Sequence, residues 1–126
     1  MPPTIMIVDD DEQILTLVEI LLRRHGYQVV KAQSPYNALE FLDSTLPDLV
    51  LLDYMMPGMN GLELCAQIRL HPKATKIPVL MLSAVDSEEF IRLSSIAGAN
   101  GHIPKSEMHR RLLHEVNQYL PIAQSK

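Results

Sequence analysis

Five short apolar runs, each followed by a stretch with helical spacing, constrain this chain more than any other feature. Thr4-Ile5-Met6-Ile7-Val8, Tyr27 to Ala32, Leu49 to Leu52, Ile77 to Leu82 and the very short Gly101-His102-Ile103-Pro104 read as buried strands. Pro78 stands near the start of the fourth, where a missing N–H is tolerated. Ile14, Leu15, Val18, Leu21 and Leu22 recur at helical spacing and Gly26 closes that helix. Ser34-Pro35 places a cap and a first-position Pro before Ala38, Leu39 and Leu42. A third helix runs from Leu62 to Leu70 and stops at His71-Pro72. Asp86 with Glu89 resembles a capping box, so Asp86 or Ser87 starts a fourth helix through Ile91, Leu93 and Ile96 to Gly98. Ser106 is expected to cap a last helix with Leu112, Leu113, Val116 and Leu120 on one face. Pro121 stops it, and the tail to Lys126 reads as frayed. Strict alternation of strand and helix predicts an α/β fold, a parallel sheet covered on both faces. Right-handed crossovers leave few doubly wound orders, and 2-1-3-4-5 is the expected one for five strands.

Size and charge narrow the function. The 126 residues suit one domain and are too few for two, so residues 1–126 are read as a single domain with a core at about 4–120. A net charge of -4 with no basic patch argues against direct nucleic-acid binding. The apolar runs are far shorter than a membrane span, and Met1-Pro2-Pro3-Thr4 does not open a secretory signal. Cys65 is the one cysteine, so no internal disulfide is possible; spaced with Leu64 and Ile68, it reads as a core thiol. These points together predict a cytoplasmic protein with no membrane association.

The strand ends carry the chemistry. The first strand ends in Asp9 and Asp10, the third in Asp53, the fourth in Ser83 and the fifth in Lys105. Each has an ordinary alternative. Asp is common in turns after strands, Ser83 alone suits a loop, and a lone Lys is usually solvated. Asp11 and Glu12 read as plain first-turn acids, and Met55, Met56, Met59 and Met81 as packing residues. The coincidence at four strand ends outweighs each alternative, because the order 2-1-3-4-5 gathers these ends at the switch point, where ligands bind in open α/β sheets. Converging carboxylates repel and raise one another's pKa. A hard divalent cation relieves that conflict, and oxygen-only donors suit magnesium. The ion and Lys105 would hold a phosphoryl group against Asp53, whose carboxylate can attack phosphorus. Ser83 could donate a hydrogen bond to a phosphoryl oxygen.

Val8-Asp9-Asp10, Leu52-Asp53 with Met56-Pro57-Gly58 and Gly61, Leu82-Ser83-Ala84 and Lys105 together resemble the receiver domain of two-component response regulators. The match runs over nearly the whole chain, in order and spacing. The resemblance implies a flavodoxin-like receiver fold of order 2-1-3-4-5. It implies that Asp53 is the phosphoacceptor, taking its phosphoryl group from the phosphohistidine of a sensor histidine kinase or a phosphotransfer protein. It implies magnesium ligation by Asp10, Asp53 and the main-chain carbonyl of Met55, with Asp9 acting through a metal-bound water. Ser83 and Lys105 would bind the phosphoryl oxygens. Phosphorylation would shift a conformational equilibrium on the surface of helix four, strand five and helix five. That surface would control an output domain or protein, and a homodimer could form through it. Such a domain is a signalling switch and not an enzyme, beyond autophosphorylation and autodephosphorylation.

Two positions depart from the family pattern. Ser106 follows Lys105 where the family often has a cis-linked Pro, which suggests a trans and differently shaped loop. His102 takes the place, three residues before the Lys, where the family usually carries a rotating Tyr or Phe. Other readings are a degenerate receiver used only for docking and a metal-dependent phosphatase with an Asp nucleophile. The intact acids and Lys105 speak against the first. Haloacid-dehalogenase-like enzymes need a second Asp two residues after the nucleophile, where this chain has Met55. A flavin or nucleotide module of the same fold would need a Gly- or Ser/Thr-rich loop after strand one, where this chain has acids.

Overall fold

In the computed structural model, residues 2–120 are described. Five parallel strands, β1 (Thr4–Val8), β2 (Gln28–Ala32), β3 (Leu49–Asp53), β4 (Val79–Ser83) and β5 (Gly101–Pro104), form one sheet of order β2-β1-β3-β4-β5, as the alternation predicts. They alternate with α1 (Glu12–Arg24), α2 (Pro35–Ser44), α3 (Gly61–Leu70), α4 (Glu88–Ala97) and α5 (Met108–Tyr119). All five residues of β3 and of β4 are buried, which follows from helices on both faces of a parallel sheet.

The period of two along each strand divides the core. Ile5, Ile7, Leu49 and Leu51 face Leu15, Val18 and Leu22 of α1 and Leu112 and Val116 of α5. Met6, Val8, Val50 and Leu52 face the other way, against Leu42 of α2, Leu64, Cys65 and Ile68 of α3 and Phe90 of α4. Burying each of the larger side chains contributes about 1.5–3 kcal/mol, so these two layers hold the strand ends in place.

Helix boundaries follow local chemistry. The Asp11 carboxylate accepts the Gln13 N–H at 2.9 Å and caps α1, and Gly26 leaves the helix at φ 91°. Ser34 caps α2 with Pro35 at its first position. Asn60 and Glu63 form a reciprocal capping box on α3.

Several expectations are corrected. Of the two expected starts of α4, Ser87 is the cap, its hydroxyl accepting the Phe90 N–H at 3.2 Å, and the Asp86–Glu89 box does not form. Ser106 caps nothing. It lies inside a 3-10 turn, Lys105–Glu107, and α5 begins only at Met108, with no side-chain cap. Met56 and Met81 are buried and Met59 packs against the core, but Met55 is 66% exposed on the loop after Asp53. Ile91, Leu93 and Ile96 of α4 lie on its outer side; Phe90 and Ser94 are its buried residues. No cis peptide occurs among the described residues, so the Lys105–Ser106 bond is trans. Pro121 and the tail to Lys126 lie outside the described residues.

A staple closes the far side of the α3–α4 layer. The Arg69 guanidinium donates to the carbonyls of Gly98 (3.0 Å), Ala74 (3.2 Å) and Ile77 (2.7 Å) and to Asn100 Oδ1 (2.9 Å). Asn100 Oδ1 also accepts the Val79 N–H, so one side chain joins α3, the loop before β4, the end of α4 and the start of β5.

Candidate functional site

Register decides what meets at the carboxyl edge of the sheet. Val8 lies level with Leu52, so Asp9 emerges beside Asp53. Asp53 is level with Leu82 and Ser83 with Pro104, which brings Ser83 and Lys105 alongside. Asp9, Asp10 and Asp53 each present a carboxylate oxygen, all within 4.8 Å of one another. Asp9 and Asp53 are buried at 0% and 3% exposure, whereas Asp10 is exposed. Lys105 Nζ lies 2.9 Å from Asp53 Oδ1 and 3.2 Å from Asp9 Oδ2. Ser83 is buried, and its hydroxyl accepts the Val85 N–H at 2.8 Å.

The charges in this group are not balanced. Asp9 Oδ1 accepts the Asp11 N–H at 2.9 Å, but buried Oδ2 has no aligned hydrogen bond; Lys105 approaches it as a charge, off the hydrogen-bonding geometry. Burial pushes the Asp9 pKa up to about 6, and the nearby Asp53 carboxylate adds to that rise. The Asp11 N–H and Lys105 pull in the other direction without cancelling it. Burial would lower the Lys105 pKa, but the Asp53 and Asp9 carboxylates overcome that and raise it. Three carboxylates against one ammonium, with an orphan buried oxygen among them, form an oxygen-only donor set with the chemistry of a magnesium site.

The loop after β3 is shaped around this edge. Gly61 N–H donates to the Tyr54 carbonyl at 2.8 Å, and a Cβ at Gly61 would run into the Asp53 carbonyl and the Met81 methyl group. Gly58 turns at φ +85° against the Tyr36 ring. These two glycines let the chain fold back over Asp53 and enter α3 at once. The tyrosine after Asp53 carries the packing further. The Tyr54 ring lies 4.9 Å from that of Phe90 on α4, and Phe90 meets His102 on β5 edge-on at 6.3 Å.

The sequence-predicted residues Asp9, Asp10, Asp53, Ser83 and Lys105 thus share one edge. Met55 follows Asp53 on the adjoining loop, and His102 stands apart, half-buried between β5 and α4. A cavity of about 610 Å³ lies elsewhere, between α1 and α2 at the β2 edge, lined among others by Lys31, Asn37 and Phe41, and it contains none of these carboxylates. Among the described residues no helix is long and apolar enough to cross a membrane.

Comparisons with known proteins identify the fold and the family. The chain is 37% identical over 119 residues to the transcriptional regulatory protein YrkP of Bacillus subtilis, covering 91% of this chain and 50% of that protein. It is 39% identical over 102 residues to the alkaline phosphatase synthesis transcriptional regulatory protein PhoP of the same organism, covering 80% and 41%. The chain therefore spans half or less of the length of these relatives. Among solved structures, the chemotaxis protein CheY4 of Vibrio cholerae superposes with a TM-score of 0.91 at 28% identity, covering 95% of this chain and 100% of that one. The BeF3-activated N-terminal receiver domain of Klebsiella pneumoniae RstA superposes with a TM-score of 0.85 at 33% identity, covering 94% and 98%. The response regulator receiver domain family matches residues 5–117, and the chain belongs to that family, the regulatory receivers of two-component systems.

Proposed function

We propose that this chain is a phosphorylation-dependent switch whose phosphoacceptor is Asp53. The observation that carries the reading is Lys105 Nζ set between Asp53 and Asp9, with Asp10 beside them at the same sheet edge. On this reading residues 1–126 act as a single receiver domain with its core at about 4–120. Its partners are a sensor histidine kinase or phosphotransfer protein on one side and an output domain or protein on the other. It acts in the cytoplasm.

Asp10, Asp53 and the main-chain carbonyl of Met55 would hold magnesium, with Asp9 reaching it through a water. When bound, the ion offsets the carboxylate charge that would otherwise repel a phosphoryl group. Asp53 supplies the nucleophile: a carboxylate oxygen forms a bond to phosphorus as the P–N bond of the donor phosphohistidine breaks, and the electron pair leaves with the imidazole. Lys105 exchanges part of its contact with Asp53 for a phosphoryl oxygen. Ser83 Oγ, freed of the Val85 N–H, can donate to another. Moving Ser83 and Lys105 shifts the ends of β4 and β5 under α4, whose exposed Ile91, Leu93 and Ile96 then present a changed surface to the partner, or to a second copy in a homodimer. Phosphoryl uptake and loss at Asp53 are the chemistry of the switch, which has no separate substrate to turn over.

Mass spectrometry after treatment with acetyl phosphate and magnesium should show one acid-stable, hydroxylamine-labile phosphoryl group. Asp53→Asn should lose it entirely; retention of the label in that variant would sink the assignment. Lys105→Ala should keep magnesium affinity and lose most of the conformational response to phosphorylation. If the phosphorylated variant responds like the parent, Lys105 is a bystander.

A further inference from the structure

The cavity of about 610 Å³ between α1 and α2 has no part in the acidic site, and its size is that of a small-molecule pocket. Leu15 of α1 and the Phe41 ring of α2 give it an apolar floor, and both pack into the core. Polar groups from three segments stand around that floor: Glu12 and Thr16 on α1, Gln33 just after β2, and Asn37, Glu40 and Ser44 on α2. From Asn37 to Ser44 the groove follows α2 for about two turns, roughly 10 Å.

The free hydrogen-bonding capacity of these walls leans to acceptors. Gln33 Nε2 donates to Glu12 Oε2 at 2.7 Å, and Asn37 Nδ2 donates to Glu40 Oε1 at 3.5 Å. Each amide therefore keeps its carbonyl oxygen as an acceptor, and each carboxylate keeps its second oxygen. The Ser44 hydroxyl donates to the Phe41 carbonyl at 3.5 Å and keeps its lone pairs. Lys31 is the one cation in the lining, and its Nζ is paired with Glu19 Oε1 at 2.9 Å. α2 ends at Ser44 with no basic residue in its last turn, so the negative end of its dipole is left uncompensated.

We propose that this groove binds a linear aliphatic polyamine, with ammonium groups on Glu12 and Glu40 and the methylene chain laid over Leu15 and Phe41. A primary ammonium carries three donors and no acceptor, which complements walls rich in acceptors. The Phe41 ring adds attraction for a cation near its face. Other ligand classes fit less well. An anion would face two carboxylates, with the single lysine ammonium already engaged. A purely apolar ligand would cover the polar walls without pairing them. A bare divalent ion needs several converging oxygens, and the three-carboxylate cluster found among the described residues is that of Asp9, Asp10 and Asp53. A single ammonium on a stem, such as a lysine of a partner protein, serves one carboxylate and leaves the other unmatched. The groove is separate from the acidic edge, and its ligand does not rest on the function proposed above.

Titration calorimetry of the full chain with spermidine, in about 0.15 M salt, tests the site. Saturable binding of one spermidine is expected, with a dissociation constant below about 1 mM. Glu12→Gln combined with Glu40→Gln should weaken it about tenfold or more. Glu88→Gln combined with Glu89→Gln removes the same charge from exposed positions on α4 and should leave it unchanged. Hexylamine, which has one ammonium on an apolar chain, should bind at least about tenfold more weakly than spermidine. In the parent protein, which needs no substitution, nuclear magnetic resonance should show spermidine shifting the side-chain amide signals of Gln33 and Asn37. Asp10→Asn should keep both the affinity and these shifts. Absence of saturable binding, or equal weakening in the two double variants, would overturn the proposal. So would hexylamine binding as tightly as spermidine, since two ammoniums would then confer nothing. Loss of binding in Asp10→Asn, with the Gln33 and Asn37 signals of the parent unmoved, would place the polyamine at the acidic edge and also overturn it.

Discussion

Arg69 and Lys105 are both half-buried cations, and the chain surrounds them in opposite ways. Arg69 has four neutral acceptors arranged around its planar fork. Lys105 faces two carboxylates, with a third nearby, one oxygen left without an aligned partner and one acid held near pH 6. The first arrangement is complete and adds stability. The second is electrostatically unfinished, and an ion and a phosphoryl group would complete it. Perturbed, mutually repelling groups gather where chemistry is done.

The contrast breaks most visibly at Arg69. Arg69→Ala removes a charged donor from four acceptors and should cost about 3 kcal/mol or more, read as a lowered urea midpoint. Arg69→Lys should recover little, because a single ammonium cannot span four separated acceptors. The folded fraction of either variant should still take up a phosphoryl group. A loss within about 0.5 kcal/mol, the range of ordinary surface substitutions, would mean that the staple is not a major support.

The opposite sign is expected at Asp9. Its carboxyl titrates near 6 in the fold against an ordinary 3.8. Between these values the folded chain keeps a proton that the unfolded chain has released, so this group's contribution to stability falls as pH rises from about 4 to about 6. The raised pKa of Lys105 acts elsewhere: its contribution persists through this range and is lost only as pH rises through the alkaline folded value. Without magnesium, Asp9→Asn should therefore stabilise the protein at pH 7 by on the order of 1–2 kcal/mol and give no gain at about pH 4. Urea melts of parent and variant at several pH values measure the difference, which also subtracts the five histidines. Parallel curves would show that Lys105 already balances Asp9.

The two clusters also differ in how legible they were. Asp9, Asp10, Asp53, Ser83 and Lys105 each stand at or just beyond the carboxyl end of a strand, and a parallel sheet gathers strand ends wherever they fall in the sequence. Knowing the order of the strands was therefore enough to gather the site. Arg69 could not be read this way. Its acceptors are main-chain carbonyls at Ala74, Ile77 and Gly98, which any residue type would supply, and they meet only through tertiary packing. The periodicity of α4 traced the helix but could not tell its inner face from its outer one. Phe90 took the core position, and Ile91, Leu93 and Ile96 were left facing out. Ser106 looked like a cap by residue type, yet the 3-10 turn after Lys105 moved the start of α5 beyond it. Met55 has the residue type of a packing side chain, yet it lies exposed on the loop after Asp53.

The smallest effect separates a specific ion site from general screening. At roughly ten times its dissociation constant, magnesium bound only by the folded chain adds about 1.4 kcal/mol. If the ion relieves repulsion among Asp9, Asp10 and Asp53, Asp10→Asn should remove most of that gain, because Asp10 is the exposed member and the easiest for a partly hydrated ion to reach. Asp11 is the control next to it in sequence. Its carboxylate already accepts the Gln13 N–H as the α1 cap, and asparagine fills a cap about as well as aspartate. Asp11→Asn should thus keep both the helix and the magnesium response, although it removes the same unit of charge from the same turn. Thermal melts of the three proteins with and without magnesium, at constant ionic strength, make the comparison. Equal loss in both variants would mean that the ion responds to total negative charge, and the unfinished cluster would then be no more a site than any other acidic surface.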